Sequence, residues 1–329
     1  MQRRALLAYF GAALAMRPMC ANAQHPGGVR TVAIFMGVAN DEEARVRTSA
    51  IEKGLADRGW HIGRNLHIEY RFAKGEDEQL LTLAKGVVEL QPDVIIAHST
   101  PVVSALHQVT RTIPIVFVVV GDPIGSGFVS TVAHPGGNIT GFTVMQPTII
   151  GKYLSILRQL NQKLSHVAVL YNPESTPNGM LSILSFNKAA EEFHVTPIMA
   201  AVHSITEIDA SMADVAATPG GGLIVTPGNF TTLYREQIIS LAARLRIPTL
   251  YPYRYFVEEG GLLSYGVDVL DLFKRAPDYV DRILRGAKPA DLPVQAPRKF
   301  ELVINLKTAH ALDIVVPRIL LAGADALIN

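Results

Sequence analysis

Cysteine is nearly missing from this chain: Cys20 is the single one in 329 residues. No intrachain disulfide can form, and no set of thiolates can hold a metal. An excess of one charge is also missing. Thirty Lys and Arg stand against 29 Asp and Glu, for a formal net charge of +1. With no basic run, the sequence offers no electrostatic footprint for nucleic acid. Beyond residue 23 no apolar run reaches the length of a bilayer span, so the mature chain is expected to cross no membrane. Catalytic signatures are absent too. Residues 36–40 (MGVAN) follow the first apolar run with one glycine where a dinucleotide fingerprint needs three. There is no phosphate-binding loop, nucleophile elbow or zinc-protease helix. The histidines are scattered; His61 and His67 read as loop or strand-surface residues, and no pair has metal-ligand spacing on one element. No catalytic residue, metal or cofactor is expected.

The amino terminus carries the clearest positive signal. Arg3 and Arg4 precede an apolar run over 5–16 (ALLAYFGAALAM), and Ala21-Asn22-Ala23 follows. Charge, short apolar run and Ala-x-Ala in that order read as a secretory signal, with cleavage before Gln24. A buried amino-terminal helix is the plainer alternative. Cleavage would remove Cys20, and removal of Arg3, Arg4 and Arg17 would take the net charge from +1 to −2. Lipidation of Cys20 is disfavoured by the bulky Arg17-Pro18-Met19 before it. The Arg3-Arg4 pair raises twin-arginine export, without the flanking Ser/Thr and Phe of that signal. The remaining chain exceeds what one hydrophobic core usually serves, so two domains are expected.

The chain then repeats itself. Short apolar strands are expected at 31–36, 66–72, 94–97 and 115–120, with helices at 41–58, 77–90 and 102–110 between them. The same order recurs as strands at 167–171, 197–202, 223–226 and 249–251, with helices at 180–193, 205–217 and 231–245. Ile113-Pro114 precedes the fourth strand of the first half, and Ile247-Pro248 precedes that of the second. Strands alternating with helices imply right-handed βαβ units on parallel sheets. Segments 139–144, 262–267 and 293–305 are expected to cross between the halves as a three-segment hinge. Helices are expected at 269–285, 307–312 and 318–326. The expected fold is therefore α/β: two Rossmann-like lobes, 24–140 with 266–296 and 141–265 with 297–329, the exchange of crossovers left open.

Open parallel sheets bind ligands beyond the carboxyl ends of their strands. In the first half those ends hold Met36, Ser99, Thr100 and Asp122. Ser99 and Thr100 open a helix, where hydroxyls and free N–H groups suit an anion; a plain N-cap is the alternative. Asp122 could receive an ammonium or close an Asx-type turn. In the second half the ends hold Tyr171, Asn172, Glu174, Thr226, Asn229, Tyr251 and Tyr253. Their Tyr and Asn side chains offer stacking surface and neutral hydrogen bonds, although Asn172-Pro173 and 227–229 are also ordinary turn formers. Aromatic residues are 7% of the chain, so Tyr251, Tyr253, Tyr255 and Phe256 are a local excess that core packing could also explain.

Together these residues resemble a known family. The blocks are 113–123 (IPIVFVVVGDP), 135–142 (PGGNITGF), 241–248 (LAARLRIP), 260–266 (GGLLSYG), 279–286 (YVDRILRG) and 288–312 (KPADLPVQAPRKFELVINLKTAHAL). The chain resembles the ABC transporter substrate-binding proteins of the tryptophan/tyrosine type, with a type I periplasmic-binding-protein fold. The resemblance implies a monomeric periplasmic receptor that passes a small ligand, an amino acid or small carboxylate, to an inner-membrane ABC permease. It aligns Asp122-Pro123 and Ser99-Thr100 with family ligand positions; Glu174-Ser175 only approximates the family's Glu and Asn/Ser. Two other readings stay open: an exported enzyme on the same scaffold, with Asp122 and His98 as its best pair, and a ligand-sensing module for a partner receptor.

Overall fold

The computed structural model describes residues 28–329 apart from 75–78, 145–148 and 175–178. The expected signal segment, Cys20 and Ser175 lie outside the described residues. The first sheet takes strands β1 (Arg30–Met36), β2 (Leu66–Phe72), β3 (Val94–His98), β4 (Ile115–Val120) and β5 (Ile139–Thr143) in the order β2-β1-β3-β4-β5. Every pair is parallel. Both faces of these Val- and Ile-rich strands are buried, as parallel sheets require. Val32, Ile34 and Met36 face α1 (Glu42–Ala56) and α10 (Val269–Leu284), whereas Ala33 and Phe35 face α2 (Leu80–Glu89) and α3 (Thr100–Val109). Asp41 caps α1 by accepting the Ala44 N–H at 2.9 Å. Helices α1 and α10 pack so closely that a side chain at Gly54 would meet the Pro277 ring at 2.6 Å.

The second sheet has seven strands: β6 (His166–Tyr171), β7 (Thr196–Ala201), β8 (Gly221–Val225), β9 (Thr249–Tyr251), β10 (Leu263–Val267), β11 (Phe300–Asn305) and β12 (Ala326–Ile328). Their order is β12-β11-β10-β9-β8-β6-β7, parallel except for β10 against β11. Helices α4 (Ile149–Leu160), α5 (Gly179–Glu192), α11 (Leu306–Ala311) and α12 (Arg318–Ala322) cover one face. Helices α6 (Ile205–Ala217), α8 (Arg235–Arg244) and α9 (Arg254–Glu258) cover the other, with the short α7 (Asn229–Leu233) before α8.

The chain passes between the sheets three times: after β5, between β10 and α10, and between residue 291 and β11. Two of these passages run side by side. Gln295 donates its N–H to the Gly141 carbonyl at 2.8 Å and accepts from the Thr143 N–H at 3.0 Å. The Tyr279 hydroxyl donates to the Pro293 carbonyl at 2.5 Å and ties the third passage to α10.

Four features depart from the sequence reading. Helices α4 and α9 were not anticipated. The expected helix at 231–245 is two helices broken at Tyr234, whose ring packs on Phe230 with centroids 4.8 Å apart. The expected helix at 318–326 stops at Gly323. Asp325 then exchanges two hydrogen bonds of 2.8 Å with Leu302, which draws Ala326–Ile328 onto β11 as an edge strand. Last, β4 carries an irregularity at Val119, whose φ is +64°. A β-branched residue in the left-handed region is strained, and such strain concentrates at functional sites.

Candidate ligand-binding site

Parallel pairing of β1 with β3 and β3 with β4 aligns their carboxyl ends, setting Met36 opposite His98 and His98 opposite Val118. Here the expected site residues separate. Met36 is 0% exposed in the core beneath the strand ends and offers a ligand no surface in this structure. Ser99 is buried, with a φ of +82°. It makes no side-chain cap to α3; instead its Oγ accepts from Asn229 Nδ2 of the second lobe at 3.3 Å. The plain N-cap reading of Ser99 therefore gives way to a contact between lobes. Thr100 Oγ1 accepts the Gly121 N–H at 3.4 Å, joining α3 to the end of β4. Asp122 shows the turn role: its Oδ1 accepts the Gly125 N–H at 2.8 Å.

In the second lobe, Asn172 is buried and donates from Nδ2 to Glu174 Oε2 and to the Val202 carbonyl, both at 3.0 Å. Glu174 is exposed and lies 3.9 Å from His203 Nε2. Tyr171 ends β6, half-buried, with its carbonyl accepting from the Val202 N–H at 2.9 Å. Thr226 bonds back to the Leu170 carbonyl through Oγ1 at 3.0 Å. Tyr251 is 1% exposed and stacks on Phe256 at 5.3 Å, so it belongs to the core and presents no surface to a ligand. Tyr253 behaves differently. It packs against the hydrophobic cores of both lobes and stacks on Tyr255 at 5.5 Å.

The contacts between lobes bring in residues that the sequence reading did not select. Arg47 of α1 is 4% exposed, and its guanidinium carbon lies 5.2 Å from the Tyr255 ring and 5.8 Å from that of Phe273 on α10. Both distances fall within cation–π range. Arg235 of α8 grips Glu259 through Nε at 2.8 and 2.9 Å and reaches Asp41 of the first lobe at 3.3 Å. Asp41 thus caps α1 with one oxygen and holds the opposite lobe with the other. A side chain at Gly37 would meet Ser99 Oγ at 2.5 Å and Asn229 Nδ2 at 2.9 Å. The absent side chain is what lets Ser99 and Asn229 touch.

Burial governs the electrostatics. His98 is 5% exposed, its ring 5.8 Å from Phe273, and among the described residues its Nδ1 has no hydrogen-bond partner. Burial, assisted by the Arg47 cation, pushes its pKa down to about 3, so the imidazole is neutral. Burial raises the Glu43 carboxyl above the ordinary range; Arg47 opposes the shift, while Glu258, Asp41 and Glu259 reinforce it. Burial likewise raises the Tyr253 and Tyr255 hydroxyls, with Arg47 opposing in each case. His98 and Asp122, the pair an enzyme would use, are not brought together: His98 lies against Phe273 and Asp122 is turned to Gly125.

Gly37→Ala is expected to separate Ser99 from Asn229 and bias the lobes apart. Small-angle X-ray scattering of the ligand-free variant should show a larger radius of gyration than the parent. An unchanged radius with unchanged melting would mean that this contact does not hold the lobes.

A family model described as ABC transporter substrate binding protein matches residues 31–328. This chain belongs to that family. It is 27% identical over 267 residues to a tyrosine-binding protein of Clostridioides difficile, covering 79% of this chain and 74% of the relative. Among solved structures, a conserved domain protein of Vibrio cholerae superimposes with a TM-score of 0.84 at 26% identity, over 91% of this chain and 99% of the other. An ABC domain of Streptococcus pneumoniae in complex with L-Trp also gives 0.84, at 25% identity, over 92% of this chain and 100% of the other. The type I periplasmic-binding-protein fold and the role in capturing a small substrate for an ABC permease are those read from the sequence. Among the described residues, no helix is long and apolar enough to cross a membrane.

Proposed function

We propose that this protein is an exported receptor that closes two lobes over an aromatic amino acid and delivers it to an inner-membrane ABC permease. It works as a monomer in the periplasm, after loss of the segment before Gln24. The two sheets with their helices are taken as the lobes, a division close to 24–140 with 266–296 and 141–265 with 297–329. The observation that carries the ligand class is the aromatic pair where the lobes meet: Tyr253, packed against the cores of both lobes, stacks on Tyr255, whose ring lies against the Arg47 guanidinium. The tyrosine-binding relative and the L-Trp complex support it. Tyr253 packs against the cores of both lobes, so a ligand ring seated on it favours the closed state over the open one, and that differential drives closure.

A micromolar receptor needs only about −8 kcal/mol. Aromatic burial and a few directed hydrogen bonds can supply that. Native mass spectrometry of the purified mature protein, followed by calorimetry with L-tryptophan, L-tyrosine, L-phenylalanine and benzoate, tests the reading. One aromatic amino acid should bind and, at 100 times its Kd, add about 2.7 kcal/mol of stability. No binding by any of the three, or a co-purified ligand without an aromatic ring, overturns the ligand class.

A further inference from the structure

Arg47 is a nearly buried cation where the two lobes meet. Its guanidinium carries five N–H donors in a fixed fork. Among the described residues the acceptors it meets are Glu43 Oε2 at 3.3 Å and the Tyr255 hydroxyl. Burial raises the Glu43 carboxyl above its ordinary range, and Arg47 opposes that shift. A buried cation that is only partly paired is costly. His98 adds a second unspent group: it borders the same Phe273 ring as Arg47, and its Nδ1 is without a partner among the described residues. At the helix start chosen from sequence as the anion anchor, both hydroxyls are already engaged, Ser99 by Asn229 and Thr100 by the Gly121 N–H. Unused polarity in the cleft therefore sits on α1 and at the end of β3.

We propose that Arg47, with His98 beside it, receives the carboxylate of the ligand, whose ring lies against Tyr253 and Tyr255. The proposal rests on the receptor reading above and deepens it: the substrates are aromatic carboxylates, and the carboxylate is the required group. Two parallel N–H bonds from the guanidinium match a carboxylate, and burial strengthens them. The neutral imidazole supplies a further hydrogen bond without adding a second buried positive charge. Because Arg47 also lies against Tyr255 of the opposite lobe, a carboxylate seated there would order the residue that meets that lobe on closure.

The test compares L-tyrosine and L-tryptophan with their carboxamides by calorimetry, on the parent, Arg47→Gln and Arg47→Lys. The parent should prefer the acid over its amide. Arg47→Gln should weaken the acid about ten- to one-hundred-fold while leaving the amide within about twofold, so that the preference disappears. Arg47→Lys keeps the charge but not the fork and should weaken the acid less than glutamine does. It provides the same comparison if the glutamine variant does not fold, and ligand-free melting curves establish which variants fold. Equal loss of acid and amide, or an acid affinity untouched by either variant, overturns the assignment and leaves the receptor reading standing. A parent that binds none of the four compounds overturns the aromatic-amino-acid reading, and this assignment with it.

Discussion

Gly141→Ala is expected to lower the unfolding midpoint by roughly 6–12 °C, or to prevent folding. Gly141 sits in β5 with a φ of +154°, inside the PGGNITGF block. A Cβ there would lie 2.1 Å from the Phe117 carbonyl oxygen and 2.6 Å from the Phe117 nitrogen. Both are backbone atoms of the neighbouring strand, so no side-chain rotation relieves the clash. Either β4 and β5 separate or the φ must change, and both disturb the register that pairs Phe117 with Gly141. The same residue accepts the Gln295 N–H, so two passages between the lobes are disturbed together. A cost of about 3 kcal/mol, typical of severe overpacking, corresponds to that midpoint shift for a domain of this size. Thermal unfolding by circular dichroism reads it directly. A shift below about 2 °C would mean that β5 relaxes freely and does not act as a rigid strut between the lobes.

The second large effect is a dependence of stability on pH. The folded protein keeps His98 neutral down to about pH 3, whereas in the unfolded chain the imidazole takes a proton near 6.5. Between those values the unfolded state binds more protons, so stability falls as the pH falls. Its contribution is fully present above about pH 6.5 and is lost through the window down to about pH 3. One proton corresponds to about 1.4 kcal/mol per pH unit, roughly 5 kcal/mol across the whole window. The groups that face His98 are Arg47 of α1, which disfavours the imidazolium, and the Phe273 ring of α10, which cannot compensate it. His98→Gln removes the titration. Urea unfolding at pH 7 and pH 5 should show a stability loss about 2 kcal/mol larger in the parent than in the variant. Equal losses would mean that the imidazole reaches solvent.

Much of this architecture was legible residue by residue. Alternation of apolar strands with helices is a local property, so the repeated βα order, the parallel sheets and the strand ends followed from hydrophobic periodicity. The Asp41 cap of α1 is equally local, because a cap is settled within three residues. Strand-end location also pointed to Ser99, Asn229 and Tyr253, which do meet across the lobes. It pointed equally to Met36 and Tyr251, which are core, because an end position does not say which way a side chain faces.

Arg47 shows where local reasoning stops. In EEARVRTSAIEKGLA it stands four residues from Glu43, the ordinary spacing of a solvated helix pair. Only the packing of α9 and α10 around it turns that surface pair into a buried, half-satisfied cation. Phe273 was hidden likewise inside an amphipathic helix, and Val119 inside a β-branched run that read as a regular strand.

The sequence by itself determined the fold class, the two-fold repeat, the family and the expectation of export, since each depends on patterns spread along the chain. Tertiary structure alone decided which strand-end groups are spent on holding the lobes and which polar groups are left for a ligand. That division depends on burial and on contacts between residues far apart in sequence. Arg47 and Tyr255, or Ser99 and Asn229, become partners only where the two lobes meet.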